Sequence, residues 1–369
     1  MELMHMKSSK STIMFYINSI HDGGAERVIL QLAHRFSIAG YRSILVTSFV
    51  DGKFEYPVPE GVERISMETK EIAQSRLRRN YSRIIKLRQY CKKYKPVALI
   101  SFMAEPNFRA VCATLGLPVK SIVSVRNDPE REYSGKIGRL IGRYLLPLAD
   151  GCVFQTEDAK LWFPQRLQKK SAVIMNEVAK VFFDTQYIGG KNIVTLGRLT
   201  EQKNQTILIN AFAEIAEKYP NSNLEIYGDG PLRNTLEKQI KDLKMTNRIM
   251  LMGATKNAAS VLATAKVFVL SSDFEGMPNA LMEALTIGVP SISTDCPCGG
   301  PKVLIDDGVN GLLIPIDNKG ELIHAMDKLL SDEKSALMMG ENAKKSSMRY
   351  HPDTIFNDWK RYIEHVISN

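Results

Sequence analysis

Short apolar runs alternate with amphipathic segments of helical length along the chain, and this alternation constrains the fold more than any other feature. Apolar runs near 12–18, 97–103 and 267–271 have the length of buried strands. The segments between such runs repeat their apolar residues with the period of a helix. Strands that alternate with helices in this way build a parallel sheet covered by helices. The sequence therefore predicts an α/β protein.

The alternation occurs twice, which predicts two domains. Seven strands are predicted near 12–18, 43–50, 64–67, 97–103, 120–126, 151–155 and 171–175, and six more near 192–197, 224–228, 248–252, 267–271, 291–294 and 312–314. Periodicity fades over 182–191, where Gly189 and Gly190 precede a new strand, and a chain of 369 residues exceeds the usual size of one core. We expect domains over 1–185 and 186–350. Ligands of doubly wound sheets bind beyond the carboxyl ends of the strands, so a cleft between two facing sheets is the expected site.

Charge is unequal between the halves. Residues 1–185 carry 29 Lys and Arg against 18 Asp and Glu, a net of +11, and the remainder carries 20 against 22, a net of −2. A basic first half indicates an anionic partner, for which nucleic acid, an anionic bilayer and a diphosphate substrate all qualify. Basic motifs interleaved with aromatic residues and zinc-ligand spacings do not occur, so no nucleic-acid partner is predicted.

Composition adds a prediction about location. Hydrophobic residues make up 44% and charged residues 24% of the chain, as in ordinary soluble proteins, and no apolar run reaches the ~18 residues of a membrane span. The five cysteines are scattered, which favours a reduced setting over a disulfide framework. We expect a cytoplasmic protein.

Two segments of the first half are candidates for membrane contact. A helix over 74–94 is strongly basic, and a predicted helix over 135–148 repeats apolar residues at helical spacing. The first is either a solvated face or a surface for anionic lipid or a lipid-diphosphate acceptor. For the second, packing of Ile137, Leu140 and Tyr144 into the core is the preferred interpretation, with membrane contact as the alternative.

The stretch from Phe274 to Leu285 carries the strongest indication of a ligand site. It follows an apolar strand and a polar break, and Pro278 suits the first turn of a helix. Glu275 is then expected in a loop and Glu283 inside the helix. Two carboxylates flank a helix N-terminus whose free N–H groups suit an anionic ligand.

Loops at the ends of other predicted strands of the second half carry cations and glycines. Arg198 and Lys203 flank a turn between a strand and a helix, where two cations can neutralise a diphosphate. Surface ion pairing is the alternative for both. Gly228 begins a Gly-x-Gly turn that resembles a dinucleotide fingerprint, but Arg233 stands where that motif has its third glycine.

Loops of the first half indicate a second group of candidates. Gly23 and Gly24 follow the first strand and would let backbone N–H groups approach a ligand. A tight turn is the plain alternative. His21 in the same loop is a weaker candidate for substrate binding. Arg126 and Asp128 follow the strand near 120–126, where a doubly wound sheet presents binding groups, and a strand-to-helix turn is the competing interpretation.

Together these motifs resemble glycosyltransferase family 4, the retaining enzymes of the GT-B fold. The resemblance rests on Glu275 and Glu283 separated by seven residues, on Arg198 and Lys203, and on the Gly23-Gly24 loop. It covers nearly the whole chain and is most specific over 192–315. A departure lies in the stretch Met175-Asn176-Glu177-Val178, where many relatives have Asn-Pro-Val. The resemblance implies two Rossmann-like doubly wound domains facing a central cleft, with a helix over 351–369 that crosses back to the first domain.

The resemblance also implies roles for residues. Glu275, Arg198 and Lys203 would be catalytic, with Glu275 near the donor sugar and the two cations at its diphosphate. Residues implied in acceptor binding are Arg126, His21 and Asp128. Residues implied in donor binding, with Glu283 on the ribose hydroxyls, are Gly23, Gly24, Gly197, Gly228, Gly253, Gly276, Met277, Pro278, Asn279, Ala280, Leu281 and Glu283.

The implied activity is metal-independent, retaining transfer of a hexose or N-acetylhexosamine from a nucleotide sugar, with a UDP-sugar expected. The expected acceptor is a glycan hydroxyl, on a polyprenyl diphosphate-linked surface polysaccharide intermediate or on a soluble glycan. The nucleotide sugar is a co-substrate, and no cofactor is expected. The basic first domain would touch the inner face of the cytoplasmic membrane. The alternatives are a GT-B sugar-nucleotide epimerase and a non-catalytic protein that binds a sugar nucleotide or a lipid head group.

Overall fold

The chain folds into two units, each built around its own parallel sheet. The computed structural model describes residues 11–21, 23–50, 52, 55–68 and 75–369. Unit 1 comprises Met1–Ile174 and Phe356–Asn369, and unit 2 comprises Met175–Ile355. Unit 1 is therefore assembled from both ends of the chain.

Seven strands form the sheet of unit 1 in the order β3-β2-β1-β4-β5-β6-β7, and all neighbours are parallel. The direction of strand addition reverses between β1 and β4. The strands are β1 (Thr12–Ile17), β2 (Arg42–Thr47), β3 (Val62–Ser66), β4 (Ala98–Phe102), β5 (Lys120–Ser124), β6 (Gly151–Phe154) and β7 (Ser171–Val173).

Helices follow the strands of unit 1. The predicted helix over 74–94 is observed from Arg76, while residue 74 lies outside the described residues. The segment 157–168 forms two short helices, because Pro164 starts the second one. The helices are α1 (Gly24–Ile38), α2 (Arg76–Tyr94), α3 (Ala104–Thr114), α4 (Pro129–Glu132), α5 (Gly135–Leu140), α6 (Glu157–Leu161) and α7 (Gln165–Gln168).

The segment 135–148 corrects a prediction about burial. It continues from α5 into a π-helical turn, Ile141–Leu145, and a 3₁₀ turn, Leu146–Leu148. Leu146 and Pro147 are buried, whereas Ile137, Leu140 and Tyr144 are exposed, so the expected packing of these three into the core is wrong. The reason is Gly142, where an added Cβ would lie 2.8 Å from the ring of Trp162. The segment packs through its glycine face because only that face permits so close an approach.

The end of the chain completes the core of unit 1. Helix α16 (Pro352–Ser368) places Trp359 in a stack on Phe102, with ring centroids 5.8 Å apart. The hydroxyl of Tyr362 accepts from the Cys152 N–H at 2.7 Å and donates to the Lys170 carbonyl at 2.7 Å. These contacts bind the final helix to the strands and loops of unit 1.

Six parallel strands form the sheet of unit 2 in the order β10-β9-β8-β11-β12-β13. The direction of strand addition reverses between β8 and β11. The strands are β8 (Asn192–Leu196), β9 (Leu224–Tyr227), β10 (Ile249–Gly253), β11 (Ala265–Leu270), β12 (Ser291–Thr294) and β13 (Leu312–Ile314). The helices are α8 (Lys180–Asp184), α9 (Gln205–Ile215), α10 (Arg233–Asp242), α11 (Ala258–Ala263), α12 (Asn279–Ile287), α13 (Gly300–Leu304), α14 (Lys319–Ser331) and α15 (Glu333–Ser346).

Both sheets are doubly wound, as the alternation of strands and helices predicted. The division between the units falls after Ile174, earlier than the boundary expected at 185. The intervening segment belongs to unit 2 because α8 packs against α12 and the Val178 N–H donates to the Tyr350 carbonyl at 3.2 Å. The final helix begins at Pro352, and its residues from Phe356 onward belong to unit 1.

Candidate functional site

Two loops of unit 2 are tied together where the sheet order reverses. They follow β8 and β11, which are neighbours in the sheet but not in the sequence. The Ser271 hydroxyl donates to the carbonyls of Lys203 at 2.9 Å and Asn204 at 3.1 Å, and the Asn204 amide donates to the Asp273 carboxylate at 2.8 Å. A doubly wound sheet offers its ligand crevice at this kind of reversal.

The carboxylate of Glu275 lies buried between these loops and is bonded on both oxygens. The Ser272 hydroxyl donates to Oε1 at 2.7 Å, and the Lys203 ammonium group forms an ion pair with the same oxygen. The Gln202 amide donates to the Phe274 carbonyl at 2.9 Å and, at 3.4 Å, to Oε2 of Glu275. A buried carboxylate with these partners is held in one orientation.

Arg198 stands in the same loop as Lys203 but is exposed, and its guanidinium lies outside any ion pair formed among the described residues. Its backbone is fixed, because its carbonyl accepts from the Gln205 amide at 3.0 Å. A fixed backbone with an exposed guanidinium suits capture of an anion from solvent.

Three predicted glycines bring the ends of β8, β9 and β10 into contact. The Gly228 N–H donates to the Gly253 carbonyl at 2.8 Å. Gly228 has a φ of +142°, and a Cβ there would lie 1.9 Å from the Gly197 carbonyl oxygen. Only glycine fits this position, and the surface beside the β8 loop is therefore formed by backbone groups.

Helix α12 begins one residue after Pro278 and follows the Glu275 loop directly. Gly300 packs closely against Gly276, since a Cβ on Gly300 would lie 1.7 Å from the Gly276 carbonyl oxygen. The side chains of Met277 and Leu281 are buried, which leaves the backbone N–H groups of this first turn as the groups suited to an anion. Asn279 and Ala280 are half-buried in the same turn.

Glu283 lies inside α12 and is 5% exposed. It is thus on the helix whose N-terminus carries the Glu275 loop, as predicted. Asn176 lies in the stretch that departs from the family pattern, and its amide donates to Asn279 Oδ1 at 2.7 Å and to the Met277 carbonyl at 3.3 Å. This stretch therefore braces the start of α12 through Asn176.

The predicted glycine loop of unit 1 follows β1, at the reversal of that sheet. The Gly23 N–H donates to the His21 carbonyl at 2.6 Å, and α1 starts at Gly24 without a side-chain cap. Asp22 lies outside the described residues. His21 pairs as an isolated bridge with Glu55, whose carboxylate receives two bonds from Arg64 at 2.6 and 2.9 Å.

Arg126 follows β5 and stacks over Phe102, with its guanidinium carbon 4.5 Å from the ring centroid. It is only 7% exposed, and burial lowers the pKa of Arg126 to about 9, so the guanidinium remains charged at neutral pH. Asp128 is used locally: its carboxylate accepts from the Glu130 N–H at 3.1 Å and caps α4.

Three polar residues around these groups were not predicted from the sequence. Gln202 and Ser272 orient Glu275, and each lies close in sequence to a predicted site residue, Lys203 and Glu275 respectively. Glu132 accepts from the Ala104 N–H at 2.9 Å at the start of α3. Burial raises the pKa of Glu132 to about 7, although nearby backbone N–H groups and Arg126 act in the opposite direction. No sequence pattern pointed to it.

The structure thus brings Glu275 and Lys203 together and places Arg198 in the same loop of unit 2. Over the described ranges, no group of three or more His, Cys, Asp and Glu side chains is arranged to hold a metal ion. Within the same part of the chain, no helix is long and apolar enough to cross a membrane.

Comparisons with known proteins agree with this architecture. The family description "Glycosyltransferase Family 4" matches residues 22–178, and "Glycosyl transferases group 1" matches residues 183–346. A Campylobacter jejuni enzyme named GalNAc-alpha-(1->4)-GalNAc-alpha-(1->3)-diNAcBac-PP-undecaprenol alpha-1,4-N-acetyl-D-galactosaminyltransferase is 27% identical over 360 residues, which cover 96% of this chain and 98% of that enzyme. An uncharacterised glycosyltransferase of Haemophilus influenzae is 25% identical over 94% of this chain and 98% of its own.

Solved structures show the same fold. Anabaena Alr3699/HepE, solved with UDP and glucose, superposes with a TM-score of 0.80 at 18% identity and covers 95% of this chain and 99% of its own. The sucrose-phosphate synthase of Thermosynechococcus elongatus gives a TM-score of 0.82 at 15% identity, over 97% and 100% of the two chains. With two doubly wound units, both family matches and full-length relatives in agreement, the chain belongs to glycosyltransferase family 4 and has the GT-B fold.

Proposed function

We propose that this glycosyltransferase moves a hexose or N-acetylhexosamine from a UDP-sugar to a hydroxyl of a polyprenyl diphosphate-linked glycan, with retention and without a metal. The observation that carries the proposal is the Glu275 carboxylate, fixed by Lys203 and Ser272 beside the exposed Arg198. The fixed carboxylate and the two cations lie where the strand order of the sheet reverses. The carboxylate suits the hydroxyls of a donor sugar, and the cations suit its dianionic diphosphate leaving group.

In this proposal the cations stabilise the departing diphosphate. Negative charge grows on the diphosphate as the glycosidic bond breaks, and Arg198 and Lys203 offset it, which is the contribution otherwise made by a metal ion. Backbone N–H groups at the start of α12 add donors to the same anion. Glu275 contacts the donor sugar, and Glu283 binds the ribose hydroxyls.

Retention follows from attack on the face that the leaving group occupies. The acceptor hydroxyl approaches that face, and its proton passes to a departing phosphate oxygen, so no enzyme nucleophile is needed. The Gly23-Gly24 loop binds the diphosphate, and Arg126, His21 and Asp128 bind the acceptor.

The proposal of a lipid-linked acceptor draws on relatives and on charge. Two C. jejuni relatives, 27% and 24% identical, are named as transferases that act on undecaprenyl diphosphate-linked sugars. Residues 1–185 carry 29 cationic against 18 acidic side chains, which suits contact with a diphosphate and with the anionic inner face of a membrane. We therefore also propose peripheral contact of unit 1 with an anionic bilayer.

The test is a transfer assay with purified protein. UDP-, GDP- and ADP-linked hexoses and N-acetylhexosamines are offered with undecaprenyl diphosphate-linked and soluble glycans, with and without EDTA. The expected product carries the same anomeric configuration as the donor, by NMR, and forms from a UDP-sugar in EDTA. An inverted product, or a strict metal requirement, would contradict the mechanism. Epimerised sugar released without any acceptor would contradict transfer itself.

A further inference from the structure

Four large apolar side chains of unit 1 are exposed along one segment, 135–148. Ile137 is 75% exposed, Leu140 56%, Tyr144 63% and Leu148 43%. They recur every three or four residues, so they lie along one side of the helical segment. A row of large apolar groups in contact with solvent marks an interaction surface rather than a core.

The segment cannot turn these side chains inward without losing its own packing. Leu146 is fully buried, and Gly142 lies against the ring of Trp162. A side chain larger than glycine at position 142 would not fit there. The exposed row is therefore a fixed property of the fold.

Positive charge accompanies the apolar row. Lys136, Arg139 and Arg143 are exposed, and residues 135–148 contain no acidic residue. Arg139 pairs with Glu130 at 2.8 Å, whereas Lys136 and Arg143 form no ion pair with any residue in the described part of the chain. Apolar and aromatic groups beside cations, on a helix lying flat on the protein, form the pattern of an interfacial membrane helix.

Helices α2 and α3 lie next to the segment 135–148 and form one layer of unit 1 with it. Helix α3 packs against both α2 and the turns at 141–148. On α2, Leu77 is 84% and Tyr81 71% exposed, and both lie beside basic residues. The layer of unit 1 built by α2, α3 and the segment therefore presents apolar groups among cations.

We propose that the segment 135–148 inserts Ile137, Leu140, Tyr144 and Leu148 into the headgroup region of an anionic bilayer. This inference rests on the bilayer contact in the proposed function and identifies the surface that makes it. A second copy of the chain is a poorer occupant, because two copies related by symmetry would bring cationic segments face to face. Anionic lipid supplies both the apolar phase and the opposite charge.

The experiment compares vesicle binding of matched variants of the full chain. The doubly substituted Ile137→Ser/Leu140→Ser protein is compared with a doubly substituted Ile188→Ser/Met338→Ser control. Ile188 and Met338 are 75% and 59% exposed, close to the exposure of the tested pair, and belong to unit 2. Co-sedimentation uses vesicles of phosphatidylcholine alone and with one quarter phosphatidylglycerol.

We expect the tested pair to lower partitioning onto the anionic vesicles by about tenfold or more, because the lost apolar groups drive insertion. The control is expected to bind within about twofold of the wild type. A Tyr144→Trp variant should shift its emission to the blue when anionic vesicles are added. Thermal unfolding of each variant checks that the fold is kept.

Equal binding of the tested pair and the control overturns the inference, as does an unshifted Tyr144→Trp spectrum with bound protein. Lipid-independent dimers lost only in the tested pair would assign the surface to a second copy. Failure of the wild-type protein to bind anionic vesicles also overturns it. Nucleotide binding and transfer to a soluble acceptor, measured on the same samples, show separately whether the transferase proposal holds.

Discussion

The ammonium group of Lys203 is paired with the carboxylate of Glu275, and the two residues come from loops that follow the neighbouring strands β8 and β11. Their side chains are 20% and 8% exposed, so the pair is largely removed from solvent. A donor diphosphate that binds Lys203 must therefore share it with Glu275. Among the residues that the structure describes, Arg198 has no such competitor, and the two cations should respond differently to substitution.

Arg198→Ala and Lys203→Ala should each lower turnover by about 10²-fold or more, the usual cost of losing a charge-stabilising donor. Only Lys203→Ala should also lower the thermal midpoint, because it leaves the buried Glu275 without its cation. Steady-state transfer and thermal unfolding measure the two effects. Lys238→Ala, an exposed lysine of α10, is the control. Turnover near the wild-type value in both variants would remove these cations from the active site.

Ser272→Ala should lower turnover by about tenfold, with little change in KM for the nucleotide sugar. The hydroxyl donates to Glu275 at 2.7 Å, and its loss frees the carboxylate to move away from the productive orientation. Ser291→Ala is a matched control, since that serine is also fully buried but bonds the Val289 carbonyl at 2.8 Å. Equal losses in the two variants would indicate a general effect of removing a buried hydroxyl.

Glu283→Ala should abolish stabilisation by nucleotides. A ligand that binds only the folded state raises the thermal midpoint, and we expect UDP and one UDP-sugar to do so more than GDP or ADP. Thermal shift measures this. Thr286→Ala, a buried residue of the same helix that bonds the Met282 carbonyl at 2.7 Å, should keep the shift. The donor-site assignment fails if no nucleotide shifts the well-folded wild-type protein.

As pH rises, the free energy of unfolding of the Glu132→Gln variant should increase relative to that of the wild type. The pKa of Glu132 is raised from 4.5 to about 7, so the unfolded chain loses this proton at lower pH than the folded chain. Wild-type stability therefore falls as pH rises from ~4.5 to ~7 and is not lowered further above that range, a change on the order of 3 kcal/mol.

Glutamine does not titrate, so the difference between variant and wild type should widen across the same window. Urea unfolding of both proteins at pH 5 and pH 7.5 measures it. A difference that stays constant between the two pH values would show that Glu132 ionises at an ordinary pKa.

The architecture was predictable because strand and helix periods are local properties of the sequence. Each of the thirteen strands found in the described residues has a counterpart among the predicted apolar runs. Glu275, Lys203 and Arg198 were predictable as a group because loops after strands meet at one sheet edge. Their partners were not, since the bond from Ser272 to Glu275 depends on the fold of a loop without periodicity.

Burial was less predictable than secondary structure. Helical spacing of Ile137, Leu140 and Tyr144 identified one face of a helix, but spacing does not decide which face turns inward. That choice depended on Gly142 and on Trp162, twenty residues further along the chain. The acid Glu132 was missed for a similar reason, because its partner Ala104 belongs to a different helix.

The discontinuity of unit 1 bears on how the protein is made. Residues 1–174 leave the ribosome long before Trp359 and Tyr362 have been synthesised. Trp359 stacks on Phe102, and Tyr362 bonds to Cys152 and Lys170. During translation the first sheet therefore lacks its last layer while the whole of unit 2 emerges and can fold. Its apolar surface stays uncovered for that interval, and a nonsense or frameshift mutation near the 3′ end of the gene would damage the domain encoded first.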